Sequence, residues 1–218
     1  MSDAFPVSDR TRLVREANRA VYDRDAIYKI LDEAFVCHVG FTDMSGQPFV
    51  VPTMFARVND SLYFHGSAAS RMLRGLVSGI PVCVTVTLTD GLVLARSVFN
   101  HSMNYRSVVA LGHATLIDEP AEKLGALQAF TERLIPGRWK DARQPNEKEL
   151  KATSILKLPL TEVSAKVRTG DVEDDADDYA LSVWAGLIPL RLVADPPIRD
   201  SRCDSGIPTP PYAARYQR

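Results

Sequence analysis

The spacing of apolar residues changes period early in the chain. Over residues 25–33, Ile27, Ile30 and Leu31 recur at helical spacing, and Asp23 or Asp25 can accept hydrogen bonds from the first amides, so a short helix is expected. From Ala34 the period is two. Phe35, Cys37, Val39 and Phe41 alternate with Val36, His38 and Gly40, the pattern of a half-buried strand. Asp43-Met44-Ser45-Gly46 reads as a turn into a second strand over 48–58, with Phe49, Val51, Thr53 and Phe55 on one side. Asn59-Asp60 turns the chain into a third strand over 62–65, and strands joined by such short turns form an antiparallel meander.

The next stretch predicts a helix capped by Ser67, with Met72, Leu73 and Leu76 inward and Gly79 as its stop. Strands follow over 81–89 and 92–98, with Asp90-Gly91 between them as a hairpin signal, and another over 108–117. Gly112 marks a bulge or a close backbone approach there. Six β-rich segments with one inserted helix predict a mainly β, α+β fold: a six-stranded antiparallel split β-barrel with flanking helices. Beyond it, Asp118 is placed to cap a helix over 119–134, whose Leu124, Leu127, Phe130 and Leu134 form an apolar face. A loop over 135–145, a short helix over 147–152 and two strands over 154–160 and 163–168 complete the regular part. The acidic run 171–178 reads as a solvated loop. From Asp195 the chain carries Pro196, Pro197, Pro208, Pro210 and Pro211, which exclude a regular helix or a central strand and predict an extended arm on a partner or a disordered tail. The division expected is an N-terminal arm (1–22), one domain (23–194) and a Pro-rich tail (195–218).

The composition narrows the function classes. The 218 residues include 26 Lys and Arg against 27 Asp and Glu, so no global field draws the chain to nucleic acid or an anionic membrane, and a bound anion must be small and held locally. No apolar run is long enough for a membrane span, and the first residues hold no apolar core of the signal-peptide kind, so a cytoplasmic protein is expected. Cys37, Cys83 and Cys203 form no C-x-x-C pair, and the four histidines are scattered, so no metal site is expected. His38 and His113 lie in apolar strands and read as structural.

Three stretches could carry chemistry. In His65-Gly66-Ser67-Ala68-Ala69-Ser70-Arg71 a strand ends, a glycine allows close approach and a helix begins, so free amides, two hydroxyls and a guanidinium converge as they would on a phosphate. An ordinary capped helix shows the same pattern. Asn104-Tyr105-Arg106-Ser107, before a strand, could add a second set of phosphate contacts, or be a plain polar loop. Val51-Pro52-Thr53 places a proline in a strand, which marks an edge or a ligand docked on the backbone.

Taken in order, several segments resemble the flavin-binding split β-barrel family related to pyridoxamine 5′-phosphate oxidase, in its flavin-nucleotide-binding subgroup near the nitroimidazole-resistance proteins. They are Pro52-Thr53, Tyr63-Phe64-His65-Gly66-Ser67 with Ser70-Arg71, Asp90 to Ser97, His101 to Ser107, Glu162 to Gly170 and Trp184-Ala185-Gly186. The resemblance implies a homodimer with FMN at the interface, haem or a deazaflavin being the alternatives. It sets Val51, Pro52 and Thr53 along the ring system and His65, Gly66, Ser67, Ser70 and Arg71 around ribityl and phosphate. Asn104, Tyr105, Arg106 and Ser107 complete the site, from the same subunit or from the other, with Lys166, Arg168 and Trp184 as further candidates. His65 and Tyr105 are the titratable candidates for catalysis. The activity implied is a flavin-dependent oxidoreduction of a small molecule, with NAD(P)H as a potential donor; the alternative is a non-enzymatic flavin or haem binder or sensor. The Arg-x-His motif of the true pyridoxamine phosphate oxidases is replaced by Arg191-Leu192-Val193, which argues against vitamin B6 chemistry.

Overall fold

The structure, a computed structural model, describes residues 3–217. A 3-10 turn leads into β1 (Ala20–Val21), α1 (Arg24–Glu33), β2 (Val36–Thr42), β3 (Pro48–Val58), β4 (Ser61–Ser67) and α2 (Arg71–Val77). The chain continues through β5 (Pro81–Leu94), β6 (Ser102–His113), β7 (Thr115–Leu116), α3 (Pro120–Leu134), α4 (Arg138–Asp141) and α5 (Glu147–Ala152). It closes with β8 (Thr153–Pro159), β9 (Glu162–Arg168), β10 (Gly186–Pro189) and α6 (Pro211–Ala214).

The fold is α+β and mostly antiparallel sheet. Its hydrogen-bonded order is β1-β9-β6-β5-β2-β3-β4-β8-β7, with β10 added to β5. The sheet therefore has ten strands and an open path, not the six-stranded barrel the pattern predicts. Two physical reasons account for the difference. β1, β7 and β10 are two to four residues long, too short for an apolar alternation to register. The Asp90-Gly91 hairpin does not form either: β5 runs through it and stays paired to β6, with a register shift between Thr89 and Gly91. Gly91 serves a close approach instead, because a Cβ there would stand 3.0 Å from the Ile188 carbonyl oxygen of β10.

β3 changes partner along its length. It pairs β2 through Pro48–Met54 and β4 through Phe55–Val58. β4 runs on to Ser67 against β8, so the β3–β4 ladder ends at the Phe55–Phe64 pair. Alternation then sorts the side chains. Leu62 and Phe64 of β4 join the main core with Val39, Val84, Leu156 and Leu158. The apolar stripes of α1 (Ile27, Ile30, Leu31) and α2 (Met72, Leu73, Leu76) pack into the same core. Tyr63 and Ile155 face the other way, onto Ala126 and Phe130 of α3. Arg133 of α3 ties these layers together: Nη1 donates to the Phe55 carbonyl at 2.9 Å, and Nη2 donates to the Leu31 and Ala34 carbonyls at the end of α1.

Several local expectations move. Asp23 caps α1, its side chain accepting from the Ala26 amide at 2.9 Å. Ser67 ends a strand, and Ser70 is the residue that caps α2. Glu119, not Asp118, caps α3, accepting from the Glu122 amide at 2.7 Å. The acidic run is not wholly solvated: the Asp174 side chain is 0% exposed and accepts from the Arg96 and Ser97 amides and the Arg96 guanidinium. The Pro-rich segment is neither wholly extended nor loose: it turns at 200–203 and 204–207, and α6 lies against α4 of its own chain through Tyr212. Among the described residues no helix is long and apolar enough to cross a membrane.

Candidate functional site

Where β3 and β4 part, a cavity opens toward α3. His65 follows Tyr63 on the α3 side of β4, and Met54 takes the same side of β3 as Ala56. With Leu127, Phe130, Leu134 and Trp139 they line a space of about 550 Å³, edged by Arg138, Arg143 and Glu149. The rings of His65 and Phe130 meet edge to face, with centroids 4.4 Å apart. His65 Nδ1 is buried and has no hydrogen-bond partner among the described residues. Burial holds the imidazole pKa below its ordinary value, so the ring is neutral at pH 7.

This arrangement selects its chemistry. A neutral imidazole is a good metal ligand, yet the described residues hold no group of three His, Cys, Asp or Glu side chains that could bind a bare ion. A single neutral imidazole can give this largely apolar cavity one metal ligand, and the arginines at its edge can meet anionic groups. Arg143 is held by Glu149, at 2.7 Å, and Arg138 by the Tyr212 hydroxyl, at 3.1 Å. Arg143 holds the Glu149 carboxyl down at about 2, so this edge of the cavity keeps its charges at any ordinary pH.

The sequence-predicted residues fall into two groups. Val51 and Thr53 turn to the core side of β3, and Pro52 is exposed on the opposite face. Phe49, on the side of Val51 and Thr53, lies under the Arg71 guanidinium at 5.5 Å, which brings the start of α2 to this part of β3. Ser67 accepts from the Ala69 amide, Ser70 from the Leu73 amide, and Gly66 sits where a Cβ would be 3.0 Å from Leu73 Cδ1. Arg71 is exposed and makes no ion pair among the described residues.

The second group lies on β6 and β9. Asn104, Tyr105, Arg106 and Ser107 are strand residues and not a loop, because β6 begins at Ser102. The Ser107 hydroxyl donates to the Lys166 carbonyl at 3.3 Å, and Arg168, nearly buried, donates to Asn104 Oδ1 at 2.6 Å. Arg106 is committed to Glu33 and Asp90. Lys166 donates to the Arg15 carbonyl. Trp184 is exposed, folded back on Gly186. β2 and β5 separate this group from β3, which at about 4.8 Å per strand is some 14 Å within one chain. Of the remaining histidines, His113 Nδ1 is bonded to the Gly79 carbonyl at 2.8 Å, whereas His38 is exposed on the outer sheet face.

Sequence reasoning missed the cavity around His65. Leu127, Phe130 and Leu134 were legible as an apolar stripe of α3, but a stripe does not say whether it meets a core or an empty space. Trp139, Arg138 and Arg143 sit in a segment that reads only as a loop.

The family model described as pyridoxamine 5′-phosphate oxidase matches residues 23–167. The chain belongs to this family. Among solved structures, the flavocytochrome Anf3 from Azotobacter vinelandii is 44% identical, with 94% of this chain and 95% of that one covered and a TM-score of 0.90. A FAD and heme binding protein from Mycobacterium smegmatis is 36% identical over 89% of this chain and 95% of that one, with a TM-score of 0.85. A family member from Bacteroides thetaiotaomicron, named for 5-nitroimidazole antibiotic resistance, is 28% identical over 68% of this chain and 86% of that one, at a TM-score of 0.58. No curated protein sequence matches the chain.

Proposed function

We propose that this chain is a redox protein of the family that holds haem on His65 and a flavin nucleotide between β3 and the start of α2. The observation that carries the haem assignment is a neutral His65 in the wall of a largely apolar cavity of about 550 Å³ edged by Arg138 and Arg143. Two relatives support it by name, one a flavocytochrome and the other a FAD and heme binding protein. The flavin assignment rests on the resemblance and on Arg71, an exposed guanidinium at the start of α2 with no ion pair among the described residues, near the Ser67 and Ser70 hydroxyls. The resemblance favours FMN and the relative from Mycobacterium smegmatis is named for FAD, so the nucleotide itself is decided by mass.

Bound together, the two groups would supply one- and two-electron transfer. The chain's own part is to bind and orient. His65 would ligate the metal, and Phe130 fixes its ring plane by the edge contact. Arg138 and Arg143 would face the ring's carboxylates at the mouth. Ser70 and Arg71 would hold the flavin phosphate. The resemblance implies a homodimer, and in it Tyr105, Ser107 and Lys166, which lie three or four strands from β3 within one chain, would approach the flavin of the other copy.

The test is the spectrum and mass of what co-purifies. Flavin absorption together with a Soret band, the latter lost in His65→Ala, is the expected result. Flavin without haem would restore the simpler reading of a flavin-dependent oxidoreductase. Anaerobic bleaching by NADH or NADPH would identify the donor.

A further inference from the structure

The C-terminal segment lies against the wall that bounds the His65 cavity. Its short helix α6 is held at one point on α4. The Tyr212 hydroxyl donates to Asp141 Oδ2 at 2.7 Å and accepts from Arg138 Nη1 at 3.1 Å. The Tyr212 ring passes over Gly137, where a Cβ would stand 3.5 Å from its Cδ1. Gly137 has φ +91°, so the backbone there calls for glycine.

Two further observations connect this contact to the cavity. Arg138 lines it. Met54, Leu134 and Ile135, which also line it, form one wall of a second, almost wholly apolar cavity of about 510 Å³ whose opposite wall is Pro197, Ala213 and Tyr216. The two spaces adjoin, and the C-terminal segment forms one side of the outer one. Every residue from 195 to 209 is exposed, and among the described residues the side-chain hydrogen bonds that tie the segment to the rest of the fold are those of Tyr212. Prolines stiffen the segment's two ends, and between them two turns, at 200–203 and 204–207, are gathered by Arg199, which donates to the Asp204 and Ile207 carbonyls, so the segment moves as one piece.

We infer that residues 195–216 are a clasped strap along the apolar space that adjoins the His65 cavity, with Tyr212 the positioning residue that fixes both the strap and Arg138 at the cavity's edge. A bulky ligand enters or leaves when the Tyr212 clasp opens, whereas a molecule of a few atoms passes with it closed. The size of ligand exchanged at His65 is thus set by a residue that does not line the His65 cavity. The identity of the bulky ligand rests on the haem reading above; the clasp itself does not.

The experiment compares the full-length chain with its Tyr212→Phe variant, which keeps the ring and removes the hydroxyl, and with a chain ending at residue 194. Hemin uptake by the ligand-free proteins is followed by stopped flow, and hydrogen exchange is measured across residues 134–141. Uptake and release should both be about tenfold faster in Tyr212→Phe, the effect of one net hydrogen bond, and at least as fast in the shortened chain. Exchange protection at 134–141 should fall in both. Equal uptake rates in full-length and Tyr212→Phe chains overturn the clasp. If no chain takes up hemin, the haem assignment is wrong, and the clasp then stands or falls on exchange alone: unchanged protection in Tyr212→Phe overturns it.

Discussion

Arg106 lays its guanidinium along Asp90 across the β5–β6 ladder, Nε donating to Oδ2 at 2.9 Å and Nη2 to Oδ1 at 2.7 Å, and gives its other edge to Glu33. Asp90 is free to face it because the bulge at Asp90 lifts that residue out of register. The hydrogen bonds to Asp90 and then Glu33 raise the guanidinium pKa above its ordinary value. An arginine spent on two carboxylates is a brace between α1 and the sheet. Arg106→Ala should therefore lower stability by about 1–2 kcal/mol and leave flavin affinity unchanged, whereas Arg71→Ala should leave stability nearly unchanged and weaken flavin by about tenfold or more. Urea denaturation and flavin titration of the two variants separate these outcomes, and a flavin loss in Arg106→Ala equal to that in Arg71→Ala would sink the assignment.

His65 makes stability depend on pH in a known direction. Its folded pKa is lowered by burial, while in the unfolded chain the imidazole titrates near 6.5. Below about 6.5 the unfolded state takes a proton that the folded state refuses, so stability falls as pH drops toward the folded pKa and is flat above about 6.5. The ligand-free wild type should lose more stability than His65→Gln between about pH 7.5 and 5.5. Parallel urea midpoints for the two proteins would refute this.

Asp174 should stand apart from the other acids of its run. Its buried carboxylate loses ground to desolvation but gains more from the Arg96 amide, the Arg96 guanidinium and the Ser97 amide, and its pKa is lowered on balance. Asp174→Ala strands those donors, and Arg96 Nε is already buried without a hydrogen-bond partner among the described residues. Its melting temperature should fall clearly, while Asp175→Ala and Asp177→Ala, both on exposed residues, should melt with the wild type.

Gly91→Ala tests why that glycine is there. Its new methyl would press on the Ile188 carbonyl at 3.0 Å and the Pro189 Cα at 3.5 Å, both backbone atoms of β10. A cost of about 1–3 kcal/mol, with faster exchange at the β10 amides, is expected. A hairpin glycine would instead disturb the β5–β6 pairing, and loss of protection there would show that reading to be right.

The elements with strong periodicity were legible in the sequence. The alternation of Cys37, Val39 and Phe41 placed β2, and Ile27, Ile30 and Leu31 placed α1 and its buried face. Turn chemistry misled where the residue had a second use: Asp90-Gly91 carries a hairpin signature, yet its glycine answers to a strand from about 95 residues further on, a contact no local pattern reports. The site was half legible. The cluster around Arg71 was visible because phosphate-type donors gather within seven residues of sequence. The cavity at His65 was not, because it is defined by the space between β3, β4 and α3, and a void leaves no mark in a string of apolar residues. Asp174 was hidden for the converse reason: its neighbours in sequence are solvated and its partners, Arg96 and Ser97, are far off in the chain.

The divergence of β3 from β4 at Phe55–Phe64 has an evolutionary corollary. Each strand, on leaving the other, continues its main-chain pairing elsewhere, β3 with β2 and β4 with β8. The gap between them is walled by side chains of β3, β4 and α3 that no ladder depends on, so its volume and polarity can be rewritten by point substitutions without disturbing the scaffold. Descendants of one ancestor could thus exchange one prosthetic group for another while retaining an almost superimposable backbone.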